Sequence, residues 1–236
     1  MLKGKQSNQL WKQWDAKAQK EGIHKTVYFA HGDEYSGDWK NNKKSGKGTQ
    51  RRKDGTVYDG DWKDDKRHGF GTLAMRLKSE KFDQYRKLYA GGWKNDKRHG
   101  YGTNYYREDQ YYEGEWYEDK RSGWGRMYYS DGSIYEGEWF NDKRNGQGMH
   151  RLSNDNRYEG SWKDDKKHGS GKFFYLDKGQ VYQGTWIDDV PKCGSLEGFD
   201  EERASNPPEF PIPVCTLADR ESVLQEGVSQ VLSEDT

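Results

Sequence analysis

Aromatic, glycine and polar residues alternate along this chain in a pattern that repeats. Seven copies of Tyr-x-Gly-x-Trp begin at Tyr35, Tyr58, Tyr89, Tyr112, Tyr135, Tyr158 and Tyr182, separated by steps of 23, 31, 23, 23, 23 and 24 residues. Period-two alternation is that of a β-strand, with Tyr, Gly and Trp on one face and the intervening residues on the other. Seven residues after the Trp, each of the first six copies reaches a Gly-x-Gly: Gly46/Gly48, Gly69/Gly71, Gly100/Gly102, Gly123/Gly125, Gly146/Gly148 and Gly169/Gly171. In the fifth copy a second strand is predicted over about Gln147 to Leu152. The polar stretch Asn141 to Asn145 is predicted as the turn before it, with Gly146 at its exit in a positive-φ conformation. Asn154-Asp155 then turns the chain back. At that second turn other copies carry His31-Gly32, Asp54-Gly55, Asp131-Gly132 and Lys178-Gly179, and Asp-Gly between strands is a strong hairpin signal.

Each unit therefore reads as two antiparallel strands and two turns, stacked on itself. The predicted fold is all-β: an elongated, single-layer antiparallel meander of seven hairpins, with short helices at the two ends. Fourteen strands at about 4.8 Å each give a ribbon of roughly 65 Å before twist. Glycine is unfavourable inside a strand, so its recurrence between Tyr and Trp needs a steric reason. The expectation is that Tyr and Trp of adjacent repeats close over it, and that a Cβ would strike the neighbouring ring. Val27 to Glu34 resembles the second strand of an eighth, incomplete copy. The longer second step implies a lengthened hairpin or protruding loop around Lys78 to Arg86. The seventh copy is expected to break down after Trp186, where Pro191 enters the turn and Cys193 stands in a glycine position.

Composition first argues against a folded chain and then for one. Leu, Ile, Val and Phe make up 31 of 236 residues, below the ~20% that usually marks disorder. Yet net charge is zero and 15% of residues are aromatic, so the apolar area has moved to Tyr and Trp, whose rings bury much surface apiece. Charge separates the chain into three parts: 1–25, a basic N-terminal helical cap at net +4; 26–194, the array; and 195–236, an acidic Pro-containing tail at net −8. Ser7 to Lys20 reads as a helix covering the first hairpin's open edge. Asp219 to Ser233 reads as a second helix docking on the last repeats. Cys193 and Cys215 are too few for a disulfide framework. No apolar run approaches ~20 residues, the N-terminus has no apolar signal core, and it lacks a myristoylation glycine; a soluble, cytoplasmic protein is expected.

The unit Y-x-G-x-W-x6-G-x-G on a 23-residue step resembles the MORN (membrane occupation and recognition nexus) repeat, over about 160 of 236 residues. The resemblance implies a twisted single-layer sheet curled into a groove. It also implies a non-enzymatic scaffold or adaptor for protein partners, in a ciliary, flagellar or sperm-type assembly, with a helical or extended peptide held in the groove. A peripheral membrane or phosphoinositide-binding module is the alternative.

The candidate chemistry is weighed against that frame. Paired cations follow each first strand: Lys43-Lys44, Lys66-Arg67, Lys97-Arg98, Lys120-Arg121, Lys143-Arg144 and Lys166-Lys167. Stacking would align them as a basic ridge, centred on Lys66, Arg67, Lys97, Arg98, Lys120, Arg121, Lys143 and Arg144, for phosphoinositides or acidic partners. The plainer reading is solvated turn residues, balanced by the aspartates just before them (Asp65, Asp96, Asp119, Asp142 and Asp165) and reversible without loss of folding. His68, His99 and His168 are one repeat position copied three times, without the short spacing of metal ligands. Glu115, Glu138 and Asp61 are another such position, not a catalytic pair. No catalytic residue, metal or cofactor is expected. Nucleic-acid binding is disfavoured, because the rings are committed to the sheet.

The positions that vary between copies carry specificity. Between the paired glycines stand Lys47, Phe70, Tyr101, Trp124, Gln147 and Ser170, with large rings only in the middle copies. Tyr105, Tyr106, Tyr128 and Tyr129 lie near in sequence. Phe70, Tyr101, Trp124, Tyr105 and Tyr128 are the candidate partner-binding residues; extra packing between strands is the competing reading. Sequence parity does not assign their face, because the turn can hide a bulge.

Overall fold

The computed structural model describes Gln13, residues 17–77 and residues 84–198. These form one antiparallel sheet of fifteen strands in which every strand pairs with its neighbours in sequence. The first strand, β1 (Gly22–Tyr28), precedes the hairpins and pairs with the next strand. Four hairpins follow: β2 and β3 (Glu34–Lys40, Lys43–Arg51), β4 and β5 (Thr56–Lys63, Lys66–Leu77), β6 and β7 (Gln84–Lys94, Lys97–Tyr105), β8 and β9 (Tyr111–Tyr117, Lys120–Tyr128). Three more complete the array: β10 and β11 (Ile134–Phe140, Lys143–Arg151), β12 and β13 (Arg157–Lys163, Lys166–Tyr175), β14 and β15 (Gln180–Ile187, Val190–Gly198). The expected all-β meander is the observed one. Of the expected N-terminal helix, Gln13 and Lys17 are helical and exposed, but the helix does not reach Lys20: Ala18 is in a turn, and Gln19 and Lys20 are not helical; its other residues, the C-terminal helix, Cys215 and the proline-rich segment lie outside the described residues.

The core is a row of rings on one face. Tyr35, Tyr58, Tyr89, Tyr112, Tyr135 and Tyr158 are at most 3% exposed, and their Trp partners are nearly as buried, although among the described residues no second layer covers them. Each Tyr meets the Trp of its own repeat and the Trp of the next edge-on. Tyr112 lies 5.2 Å from Trp116 and 5.3 Å from Trp139, at interplanar angles of 89° and 83°. The contacts run unbroken from Trp39 to Tyr182. T-shaped pairs of this kind contribute about 0.5–1.5 kcal/mol each beyond area burial. Inside the array the polar atoms are satisfied by backbone: Tyr112 Oη donates to Glu115 O (3.1 Å), and Trp116 Nε1 donates to Gly102 O of the previous repeat (3.0 Å); the end indoles, Trp39 and Trp186, are buried without such a bond. His150 also lies on this face, and burial, followed by the charges of Arg144 and Lys167, pushes its pKa down to about 4.

The glycines make the ladder possible by a route somewhat different from the expected one. The middle glycine of one strand faces the second glycine of the next, as Gly137 faces Gly148. A Cβ on Gly137 would strike Gly148 Cα and the Gln147 carbonyl; one on Gly148 would enter the Tyr135 ring. The obstruction is therefore backbone plus the Tyr of the same repeat, not rings of adjacent repeats.

The hairpin turns also differ from the sequence expectation. The turn in the fifth copy is two residues, Asn141-Asp142, at φ 50° and 70°. Every first turn repeats this left-handed pair, as a type I′ turn requires. Lys143 and Arg144 are thus strand residues. The glycine at positive φ sits further on, in a bulge. Gly137 and Trp139 are two residues apart, whereas their partners Gly148 and Arg144 are four apart. The carboxylate of the first strand closes the bulge: Gln147 N donates to Glu138 Oε1 at 2.9 Å. The second turns behave as expected, with Gly132 N donating to Tyr129 O at 3.0 Å and Gly132 at φ 84°.

The sheet runs past its expected limits at both ends. Lys20 already follows the repeat pattern: its ammonium lies 4.8 Å over the Trp39 ring, and Asn42 N donates to its carbonyl. At the other end the seventh copy does not break down. Asp188-Asp189 keeps the left-handed turn, and Gly194 faces Gly184, with a bulge one residue shorter than elsewhere. The inserted hairpin is lengthened as expected, pairing out to Leu77 and Gln84; its tip, 78–83, lies outside the described residues.

Gly137→Val is expected to cost about 2–4 kcal/mol, because the new side chain meets backbone that cannot move aside. Glu138→Val on the opposite face loses one exposed hydrogen-bond acceptor, about 1 kcal/mol. Urea unfolding of the two variants decides it, and equal losses would contradict the packing described here.

Candidate functional site

The two faces of the sheet have different work. On the ladder face, the second cation of each pair lies flat over the Trp of the next repeat: Arg67 over Trp93 (4.1 Å), Arg98 over Trp116 (4.0 Å), Arg121 over Trp139 (4.1 Å) and Arg144 over Trp162 (4.3 Å). The same guanidinium grips the next turn. Arg98 Nε donates to Asp119 Oδ1 at 3.2 Å, its Nη2 to Asp119 O at 2.8 Å, and its backbone N to Asp119 Oδ1 at 2.9 Å. Asp119 N returns a bond to Arg98 O. Each arginine is paired with the aspartate of the following repeat, not the one just before it in sequence. These guanidiniums are half-buried parts of the inter-repeat joint rather than solvated turn charges.

The lysine half of the expected ridge is exposed, and much of it is paired. Lys43 reaches Asp64 (3.6 Å), Lys97 reaches Glu118 (3.2 Å) and Lys143 reaches Asp164 (3.0 Å), while Lys120 donates to Asn141 Oδ1. Lys66 is exposed at the start of β5. An open depression of about 330 Å³ on the ladder face is lined by Tyr106, Tyr129 and Trp139 together with Arg121, Arg144 and Asp165. Its charged groups are those of the repeat joint. Among the described residues no group of three or more His, Cys, Asp or Glu could hold a metal ion. His168 instead lies 3.6 Å from Asp188, and His99 packs against Tyr117.

The opposite face collects the variable aromatics. Tyr101 pairs with Glu115, Trp124 with Glu138, and Tyr105 and Tyr128 both lie in the row of Tyr111. All five candidate rings, Phe70 included, therefore project from the face away from the ladder. Tyr111 is the residue that joins them: its ring stacks on Tyr128 at 4.3 Å and lies 6.0 Å from Tyr105. Burial and the neighbouring Tyr128 raise the Tyr111 pKa, so it stays a neutral phenol. Tyr101 Oη donates to Glu113 Oε1 at 3.0 Å. Arg126 is held by Glu136 at 2.7 Å and donates to Tyr128 Oη at 3.1 Å. Phe70 is 59% exposed, in the same cross-strand row but two strands from Tyr101. Tyr106 and Tyr129 belong to the ladder face instead.

Two further rings escaped the sequence reading. Tyr117 and Phe140, 61% and 59% exposed, follow the Trp of copies four and five on the same side as Trp124. The signal was present: that position is Lys40, Lys63, Lys94 and Lys163 in four other copies, and Ile187 in the last. Tyr111 was likewise visible as the residue before the repeat Tyr, a position that is aromatic in no other copy: Glu34, Val57, Leu88, Ile134, Arg157 and Val181.

Comparison with known proteins agrees with the geometry. The MORN repeat family model matches residues 35–57, 58–74, 89–107, 112–134, 135–157 and 158–179. These are six of the seven hairpins in whole or in part; β14 and β15 lie beyond the matches. The chain is 52% identical over 233 residues to MORN repeat-containing protein 3 of Xenopus laevis, covering 98% of this chain and 96% of the relative. It is 61% identical over 225 residues to the Homo sapiens protein of that name, covering 95% of this chain and 93% of the relative. The Mus musculus protein is 58% identical with the same coverage.

Reversing Arg98 and Arg121 to Glu is expected to destabilise by about 2 kcal/mol or more, since each loses a ring contact and charge-assisted hydrogen bonds. Reversing Lys97 and Lys120 is expected to cost less than about 1 kcal/mol. Thermal or urea unfolding of the two double variants separates them, and equal stability would show that the arginines are not part of the joint.

Proposed function

Because the chain belongs to the MORN repeat family, we propose that it is a non-enzymatic scaffold whose middle repeats bind protein partners through the sheet face opposite the ladder. One observation carries this reading. The positions common to all copies are buried in the ladder, while the rings that differ between copies gather on the other face. A repeat array offers a long surface and no enclosed core, and specificity has to come from positions the sheet does not need. Aromatic side chains supply rigid contact area at low entropic cost and dominate interface hot spots. A phosphoinositide or membrane role is less well supported, because the arginines are engaged in the repeat joints and several lysines are paired. A ciliary, flagellar or sperm-type setting is proposed on family resemblance alone.

The test compares quantitative capture of partners from a ciliated-tissue extract by wild-type and variant protein. Tyr101→Ala with Trp124→Ala is expected to weaken capture by about 2 kcal/mol or more while leaving the β-type circular dichroism unchanged. Tyr117→Ala with Phe140→Ala removes exposed rings outside the ladder, and is expected to weaken it too. Gln147→Ala with Ser170→Ala, in the polar copies, serves as the control. Unchanged capture by both aromatic variants would overturn the reading.

A further inference from the structure

The rings on the opposite face stand among carboxylates. Over β7 to β10 the strand positions on that side include Glu113, Glu115, Glu136 and Glu138 against Arg126, which Glu136 and Tyr128 engage, while the cations Lys97 and Lys120 stand at the turn end of the face and are taken up by Glu118 and Asn141. Glu138 is exposed, and Glu113 and Glu115 are half-buried. Their oxygens make single local bonds: Glu113 to Tyr101 Oη, Glu115 to Trp124 N, Glu138 to Gln147 N. Each carboxylate has further lone pairs for a ligand. Cross-strand pairing sets Tyr101 beside Glu115 and Trp124 beside Glu138. Ring beside carboxylate is the arrangement that receives a cation, which takes the ring face and the ion pair together.

We infer that this acidic, aromatic face of the middle repeats docks a Lys/Arg-bearing segment of a partner protein. The inference rests on the scaffold reading above and assigns the chemistry of its partner. The charge is opposite to that of the ridge expected from the paired cations. The strands are about 4.8 Å apart, so Glu115 and Glu138, two strands apart, are spaced to take successive cations of one segment crossing the strands. Complementary charge of this kind selects partners and speeds encounter more than it adds affinity.

The probe is a dodecapeptide of alternating Arg and Ser, with alternating Glu and Ser as its counterpart, titrated into the full chain at low salt. Binding is read by anisotropy and by the indole N–H resonances. Trp124 reports the opposite face, and Trp116 and Trp139 report the ladder. The Arg peptide is expected to bind and to shift Trp124 rather than the ladder indoles. Glu113→Gln with Glu115→Gln and Glu138→Gln keeps each acceptor and removes the charge, and is expected to weaken binding by about tenfold at an unchanged thermal midpoint. The inference is overturned if the Glu peptide binds as well, if the ladder indoles move instead of Trp124, or if the glutamine variant keeps its affinity. Self-association of the chain that is lost in the glutamine variant would make the occupant a second copy and would likewise overturn it. If the aromatic variants abolish partner capture from extract while the glutamine variant does not, the scaffold reading stands and the basic partner falls.

Discussion

A pair of facing glycines clears the space on which this structure depends. Gly114 opposite Gly125, like Gly137 opposite Gly148, leaves bare backbone on one face of each hairpin. The Tyr ring lies against that backbone so closely that a Cβ on Gly125 would occupy the phenol. With the Tyr fixed there, the Trp of its own repeat and of the next meet it edge-on. Among the described residues the rings then bury one another without a second sheet or helix layer. A single layer can have a core because the core is one ring thick and its polar edges bond to the backbone beneath.

The joint between repeats is as local as the core. Arg98 touches Trp116 and Asp119, and Arg121 touches Trp139 and Asp142, so each repeat is tied only to its neighbour. Stability in such an array is a sum of unit and nearest-neighbour contributions. One face is thereby committed to architecture. The other carries few repeat-wide constraints beyond the carboxylate that closes the bulge in the first, second, fourth and fifth copies, and there sequence can change from copy to copy. The concentration of Tyr101, Tyr105, Tyr111, Trp124 and Tyr128 on that face follows from this division.

Much of this was legible in the sequence, and the gaps have physical reasons. The 23-residue period and the alternation around Tyr-x-Gly-x-Trp give strands, order and topology. The Asp131-Gly132 turn was readable because glycine marks its left-handed residue. The Asn141-Asp142 turn was not, because two non-glycine residues adopt the left-handed conformation there and Lys143-Arg144 then read as loop. Arg121 was read as a solvated charge because its partners, Trp139 and Asp142, belong to the next copy and only stacking brings them together. Lys20 and Gly194 were missed for a related reason: end units keep the packing positions while losing the motif. The faces of Tyr101 and Trp124 needed the bulge geometry, which parity alone does not supply.

Amide hydrogen exchange on Gly125→Ala tests the ladder most directly. The added methyl is aimed at the Tyr112 ring, so protection is predicted to fall most in β8 and β9. The loss should decay through the repeats on either side and be least at β2 and β3, because coupling passes only between neighbours. Unchanged protection at β8 and β9 would show that the glycine pair does not hold the ladder open, and an equal loss along the whole sheet would contradict nearest-neighbour coupling.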